Sequence, residues 1–423
     1  MWDLVIRGGR VIDPASGRDE IADVAVREGR VVAVEPNLDP ARATDTVDAR
    51  HKLVTPGLVD MHTHVWHGAS FWGTDPDTHA WRSGVTTWVD AGSAGAYGIE
   101  ALRAHVAEPA RVRVRALLNV SGLGLVAESG EHRALEHLDV GSAASMAARQ
   151  GEFVVGVKAR IDRHTVGENG IEPLRRAVTL ARSIERPLMV HVAYGPPAIS
   201  EILPLLGEGD VLTHCASPAP DDLVTPDGIS DALRRARDAG VVFDLGHGSG
   251  ALDFDVLETE LSAGIRPIIS SDLHARSAHG PAFDLPTVLS KLLAVDWSLF
   301  DVIAAATVRP CDALGIDDGS GTLQPGTAAD IAVFDIEHGT FDVFDVNGSV
   351  RQAPMRLRNT ATYVAGRQLP PVADAPTPPW IALTPEQRVT EQHQLAEIRA
   401  AHAPGPSHPD DSGRSRRRQE DER

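Results

Sequence analysis

The sequence predicts an α/β fold, a (β/α)8 TIM barrel with a small accessory β-sandwich built from both chain ends. Three observations predict it. Eight short apolar runs alternate with helix-like segments between residues 56 and 319. Five of those runs end in side chains able to bind a metal or move a proton, which is where such barrels keep their chemistry. Residues 1–55 and 320–370 are strand-rich but each too short to bury a core alone, so they are expected to complete one another.

In chain order, strand patterns fall at 4–6, 10–12, 21–26 and 30–34, separated by Gly8-Gly9, by 14–17 and by Glu28-Gly29. The barrel strands follow at 58–64, 85–90, 112–119, 153–158, 187–191, 211–214, 241–245 and 267–272. Helical patterns at 171–184, 229–239 and 254–263 separate most of the later ones. A doubly wound open sheet is the competing arrangement, because periodicity shows alternation and not closure. No Gly-x-Gly-x-x-Gly follows an early strand, which leaves a dinucleotide site without support. Gly321-Thr322-Leu323-Gln324-Pro325-Gly326 then precedes strand-like 330–335 and 360–364, the second part of the sandwich. The last segment, 371–423, joins a Pro-rich linker to a possible helix and a disordered tail. The linker spans 370–379, and Thr384-Pro385-Glu386-Gln387 offers a capped helix start running to about residue 401. From Pro404 onward the composition is that of disorder.

With 42% hydrophobic and 23% charged residues, the composition is that of a soluble globular protein. No run approaches the roughly eighteen apolar residues that span a bilayer. The N-terminus enters a strand pattern directly, without the basic and apolar regions of a leader. Two cysteines, Cys215 and Cys311, leave room for one disulfide but fit a reducing cytoplasm better. A net charge of −19 argues against nucleic acid, whose phosphates would be repelled. An anionic substrate would need a local cationic contact.

The stretch that organises the chemistry ends barrel strand one in His62-Thr63-His64. Residues two apart on a strand share a face, so these two imidazoles can converge on one metal ion. Among 18 histidines chance supplies roughly one His-x-His, so its place after Pro56-Gly57 and an apolar strand carries more weight than the tripeptide. Strand four adds Lys158, strand five His191, strand six His214 and strand eight Asp272. Taken singly, His191 and His214 fit hydrogen-bonded core histidines, Asp272 a helix N-cap and Lys158 a lysine reaching for solvent. Six ligand-capable residues at the ends of five strands make a metal site the reading of the set.

These motifs resemble the amidohydrolase superfamily, of the type with two divalent metals bridged by a carboxylated lysine. The resemblance covers residues 1–370. It rests most on Pro56-Gly57-Leu58-Val59-Asp60-Met61-His62-Thr63-His64, on Gly84-Val85-Thr86-Thr87, and on Pro325-Gly326 leading to Ala329-Asp330-Ile331-Ala332. Val157-Lys158-Ala159-Arg160, Asp244-Leu245-Gly246-His247-Gly248 and Ser271-Asp272-Leu273-His274 resemble a deacetylase-like subgroup, often labelled dihydroorotase-like. Position by position, the resemblance implies that His62 and His64 hold the more buried metal, with Asp272 as a further ligand. It implies that His191 and His214 hold the more exposed metal, and that Lys158, as N6-carboxylysine, bridges the two. Zinc is the expected ion, although manganese or iron can use the same donors. A free ammonium beside two dications would be repelled, whereas a carbamate is anionic. Making it requires the neutral amine and so a lowered lysine pKa.

The expected reaction uses a hydroxide bridging both metals, with Asp272 taking its proton and later handing it to the leaving group. His247 is a candidate second donor, or only a supporting residue. Arg160, and behind it Arg276, are candidates for a substrate carboxylate; Trp66, His67 and Trp72 are candidates for the pocket wall. The implied function is hydrolysis of an amide or ester of a small carboxylate-bearing compound. Deacetylation of an N-acetyl amino acid or acetylated hydroxy acid fits the subgroup. Dihydroorotases usually carry an arginine where Trp66 stands, and hydantoinases a tyrosine shortly after the bridging lysine, where 159–164 has none. A cyclic amidase of those types is the alternative. A non-catalytic scaffold is disfavoured because no ligand is missing. The resemblance also implies a homo-oligomer.

Overall fold

Seven apolar runs pair in parallel in the order in which they occur: Leu58–Thr63, Val85–Gly95, Arg113–Asn119, Val154–Ile161, Leu188–Val192, Val211–Thr213 and Val242–Asp244. The computed structural model describes residues 1–220, 222–390 and 392. The eighth run makes no long ladder, yet it bridges both edges of the sheet. Ile268 pairs with Asp244, and Leu273 with Thr63. Buried Asp60 on the first strand accepts hydrogen bonds from the Ser271 amide (3.1 Å) and hydroxyl. The sheet therefore curls into a TIM-barrel-like ring rather than the competing open sheet. Met61, Val89, Leu117, Val155, Met189, Val211 and Ile268 form one buried cluster. They come from seven different strands around the ring, and only inside it can they meet.

Helices cover the outside, which is why the strands are apolar on both faces. Glu172–Ser183 buries Leu174, Ala177, Leu180 and Ala181, the spacing of one helix face. Asp231–Asp238 is capped by the Ser230 hydroxyl, and Phe254–Ser262 by the Asp253 carboxylate. All three lie within a residue or two of the expected bounds.

The chain ends build a separate eight-stranded sheet. Its order is Arg367–Gln368, Val350–Val364, Ile331–Phe344, Lys52–Pro56, Trp2–Asp13, Arg18–Arg27 and Arg30–Glu35, with Ala43–Asp48 also pairing with Trp2–Asp13. The two ends meet where Lys52–Pro56 runs antiparallel to Ile331–Phe344. Ile6, Val11, Val24, Val54, Ile331 and Tyr363 belong to its own apolar cluster. Gly8-Gly9 does not divide the first strand, as its composition suggested. Gly8 takes φ 70° in a bulge between Ile6 and Gly9, after which pairing resumes. Ala43–Asp48 went unread because it is largely exposed and polar; the outer half of the long hairpin also went unread, although Phe341, Val343, Ala353, Met355 and Leu357 alternate there with exposed residues.

Residues 370–379 are not a detached linker. Trp81 Nε1 donates to the Val372 carbonyl (3.1 Å), and Arg82 pairs with Asp374 (3.0 Å). Met1–Ala382 forms one compact unit, and a second begins at Leu383. In the second unit, residues 385–390 are helical, and Thr384 and Gln387 exchange the side-chain-to-backbone bonds of a capping box. The rest of the expected helix and the tail lie outside the described residues. Among those described, no helix is long and apolar enough to cross a membrane.

Phe334 joins the hairpin to the barrel. It is fully buried, and its ring tip lies 2.7 Å from where a Cβ on Gly84 would stand. Phe334→Ala is expected to cost about 3–5 kcal/mol, read as a lower urea midpoint at unchanged slope.

Candidate metal centre

The ends of the barrel strands enclose a cavity of about 310 Å³ lined by His62, His64, Lys158, Arg160, His191, His214 and Asp272. Six of these are the residues singled out as ligand-capable, and they come from five strands. His62, His64 and Asp272 offer ligand atoms that all lie within 4.8 Å of one another, a group able to hold a metal ion. Asp272 Oδ1 is 3.4 Å from His62 Nε2 and 3.3 Å from His64 Nε2. Lys158 Nζ is 3.1 Å from His62 Nε2. The His191 and His214 rings meet edge to face at 4.4 Å, and His214 lies 5.0 Å from His62.

Hydrogen bonds behind the cavity set which imidazole nitrogen faces it. His214 Nδ1 donates to the Gly246 carbonyl (2.7 Å), so its Nε2 carries the lone pair. Thr213 spends its hydroxyl proton on Asp244 (2.7 Å) and can only accept from His62 Nδ1 (2.8 Å). His62 Nε2 is therefore also a lone pair. His64 Nδ1 bonds Ser93 Oγ at 2.9 Å. This is the outer support that ligating histidines use. His214 Nε2 and Asp272 Oδ1 are buried without a hydrogen-bond partner. Two orphaned electron-pair donors in one buried polar cavity fit a cation and fit little else.

The electrostatics agree. Burial holds all four histidines neutral: His64 is pushed down to about 3, His214 to about 4, and His62 and His191 well below the usual imidazole value. Burial also pushes the Lys158 ammonium down to about 7, against the opposing pull of Asp272 and Asp244. His214 and Asp272 sit at φ 63° and 47°, conformations that non-glycine residues adopt at a cost of order 1–3 kcal/mol. Such strain collects where function fixes a side chain.

The outlying candidates divide. Arg160 reaches the cavity, held 3.6 Å from Glu131 and 3.3 Å from the Glu128 carbonyl. Arg276 does not line it; its guanidinium stacks on Trp72 at 4.9 Å and pairs with Glu128. His247 is fully buried outside the lining, with Nε2 2.7 Å from Lys291 Nζ. Of the two roles open to His247, second donor or supporting residue, its contact with Lys291 fits the supporting one. Of the loop aromatics only Trp72 forms wall, against His274. Trp66 packs on Gly98 and His67 is exposed. Sequence reasoning missed Asp244, Thr213 and Ser93, which orient the histidines, and Tyr194 and His274, which line the cavity. Asp244 and His274 stood within the motifs that carry the resemblance, without a role assigned to either; Thr213, Ser93 and Tyr194 had no such signal.

A family model described as the amidohydrolase family matches residues 53–368. The chain belongs to that family. This amidohydrolase is 34% identical to Deacetylase Atu3266 of Agrobacterium fabrum, over 76% of its own length and 80% of the relative. It is 32% identical to a deacetylase of Enterococcus faecalis, over 86% and 98%. A solved structure described as an adenine deaminase superposes with TM-score 0.81 at 32% identity, covering 87% of this chain and 99% of that one. One described as a dihydroorotase gives 0.78 at 31%, covering 86% and 97%.

The lowered Lys158 value has a signed consequence for the metal-free protein. The unfolded lysine titrates near 10.5 and the folded one near 7, so burying the ammonium penalises folding in full below pH 7. The penalty fades between pH 7 and 10.5. Lys158→Met is expected to be more stable than the parent at neutral pH, with a margin that narrows as pH rises through this window; urea unfolding in chelator measures it.

Proposed function

We propose that this amidohydrolase cleaves the amide or ester bond of a small carboxylate-bearing compound, by deacetylation of an N-acetyl amino acid or acetylated hydroxy acid. One observation carries the reading: six ligand-capable side chains meet in a single buried cavity beside the guanidinium of Arg160. The likeness to proteins named deacetylase supports the acyl group.

His62, His64 and Asp272 would hold one divalent cation, and His191 and His214 a second. Lys158, carboxylated on Nζ, would bridge them. Zinc is the proposed ion, from the imidazole and carboxylate donors. When bound, such cations acidify water and polarise a carbonyl. The neutral Lys158 amine is the form that carbon dioxide can carboxylate. The Asp272 carboxylate accepts the proton of the attacking water and returns it to the departing amine or alcohol. Arg160 binds the substrate carboxylate, while Trp72, Leu125 and Val192 exclude water from the acyl group.

A cyclic amidase remains the second reading, favoured by the likeness to a dihydroorotase structure. Against it, the position where dihydroorotases usually carry an arginine is Trp66, which packs on Gly98. The barrel at 56–319 is proposed as the catalytic domain, with 1–55 and 320–370 folding on themselves as a sandwich. Two buried free thiols, Cys215 and Cys311, support a cytoplasmic setting. The assembly is proposed to be a homo-oligomer.

Metal analysis by mass spectrometry, with a panel of N-acetyl-D- and L-amino acids, acetylated hydroxy acids, dihydroorotate, hydantoins and adenine, tests the reading. Close to two metals per chain and turnover of acetylated acids are expected. Turnover confined to cyclic ureides or adenine would overturn it. Asp272→Asn should stay folded while kcat falls by about 10²–10⁴. Unchanged kcat would assign the proton transfer to another group.

A further inference from the structure

His247 and Lys291 have no part in the reaction as derived, yet both are buried and bonded to each other. His247 is 0% exposed, and Lys291, on the helix Leu285–Leu293, is 2% exposed. A buried lysine costs desolvation energy that only good partners offset. Among the described residues Lys291 has no hydrogen-bond acceptor stronger than two neutral atoms: it donates to His247 Nε2 (2.7 Å) and to the Pro281 carbonyl (2.8 Å). Asp345, from the hairpin of the accessory sheet, is the charge that opposes its desolvation. Because His247 Nε2 accepts, the ring proton must sit on Nδ1, and that N–H donates to the Gly248 carbonyl (3.0 Å). The Gly248 carbonyl, which can only accept, and Lys291 together thus fix the tautomer.

Gly248 is the residue against which Asp272 rests. A Cβ there would lie 2.4 Å from Asp272 Oδ2, and Gly248 itself sits at φ 53°. Its amide donates to the Ser271 carbonyl (2.9 Å), one residue before Asp272. Asp272 Oδ1, on the other side of the carboxylate, accepts no hydrogen bond. The carboxylate at a strained φ of 47° is therefore backed by a backbone wall rather than by a donor.

We propose that Lys291 and His247 form a positioning pair that holds the Gly248 peptide against Asp272 and so fixes the carboxylate for proton transfer. The inference rests on the proposed role of Asp272. It gives His247 a structural path to the reaction, with no contact to substrate.

Two measurements test it. In metal-free protein, the ¹⁵N signals of His247, identified by their loss in His247→Asn, should report a neutral ring protonated on Nδ1. In Lys291→Met that preference should weaken. In metal-loaded protein, Lys291→Met and His247→Phe should lower kcat about 10- to 100-fold, the cost of a misplacement of about 1 Å, with KM and metal content little changed. His247→Asn keeps an N–H near the Nδ1 position and should recover most of the loss. An Nε2-protonated His247 in the parent protein would overturn the pair whether or not the variants fold. So would kcat within about twofold of the parent in both variants, or a loss that follows metal content. The spectrum needs neither substrate nor metal. A parent protein that hydrolyses nothing on the panel would therefore sink the functional reading and leave the tautomer to judge the pair.

Discussion

Everything at the cavity depends on how the ring is closed. The eighth run is too irregular to form a ladder, and two backbone bridges plus the Asp60–Ser271 bonds hold it in the gap between the first strand and the seventh. That closure brings Asp272, 208 or more residues beyond the paired histidines in sequence, to within 3.4 Å of both. Asp60 is itself held by burial with its carboxyl raised to about 7. A buried acid that bonds two donors of one residue ties two strands together where hydrogen-bonded pairing is thin.

The site works against the fold that carries it. Four histidines are stripped of their charge, a lysine is pushed toward neutrality, two residues sit in left-handed conformations, and two donor atoms go unpaired. The buried lysine, the left-handed backbone and the unpaired atoms each destabilise a metal-free chain by an amount comparable to a single core mutation, whereas the neutral histidines cost stability only as pH falls below about 6.5. A cation or a carbamate would use the neutral histidines, the lysine and the unpaired atoms, while the strained backbone at His214 and Asp272 would hold two of those side chains in place. The cores of the barrel and accessory sheet are large enough to hold the ring in place, and the sheet's hairpin reaches the barrel at Phe334 and at Asp345. Asp345 accepts the Phe254 amide at the start of the helix after strand seven.

Strand alternation and the six ligand-capable residues were legible because both follow from position along a strand. His62, His64, Lys158, His191, His214 and Asp272 needed only the rule that strand ends face one rim. Closure was not legible, since it turns on Leu273 bridging to Thr63, 210 residues earlier in the chain. Nor was the fate of His247. Its residue type and place fitted a second donor as well as a supporting residue, and only the packing of the helix bearing Lys291 turns it to the supporting role. Arg276 was drawn off in the same way by Trp72 and Glu128. Thr213 and Ser93 decide which nitrogen of a histidine faces the cavity, yet a hydroxyl residue beside a strand end has no pattern to distinguish it. The Gly8-Gly9 pair misled for a general reason: glycine permits both a turn and a bulge, and the register of the partner strand decides between them.

The most direct test of the account is anomalous diffraction from crystals grown with zinc and bicarbonate. The account predicts two ions in the cavity, one against His62 Nε2, His64 Nε2 and Asp272 and one against His191 and His214, with extra density on Lys158 Nζ reaching both. An empty cavity under those conditions, or zinc bound only elsewhere on the chain, would contradict it.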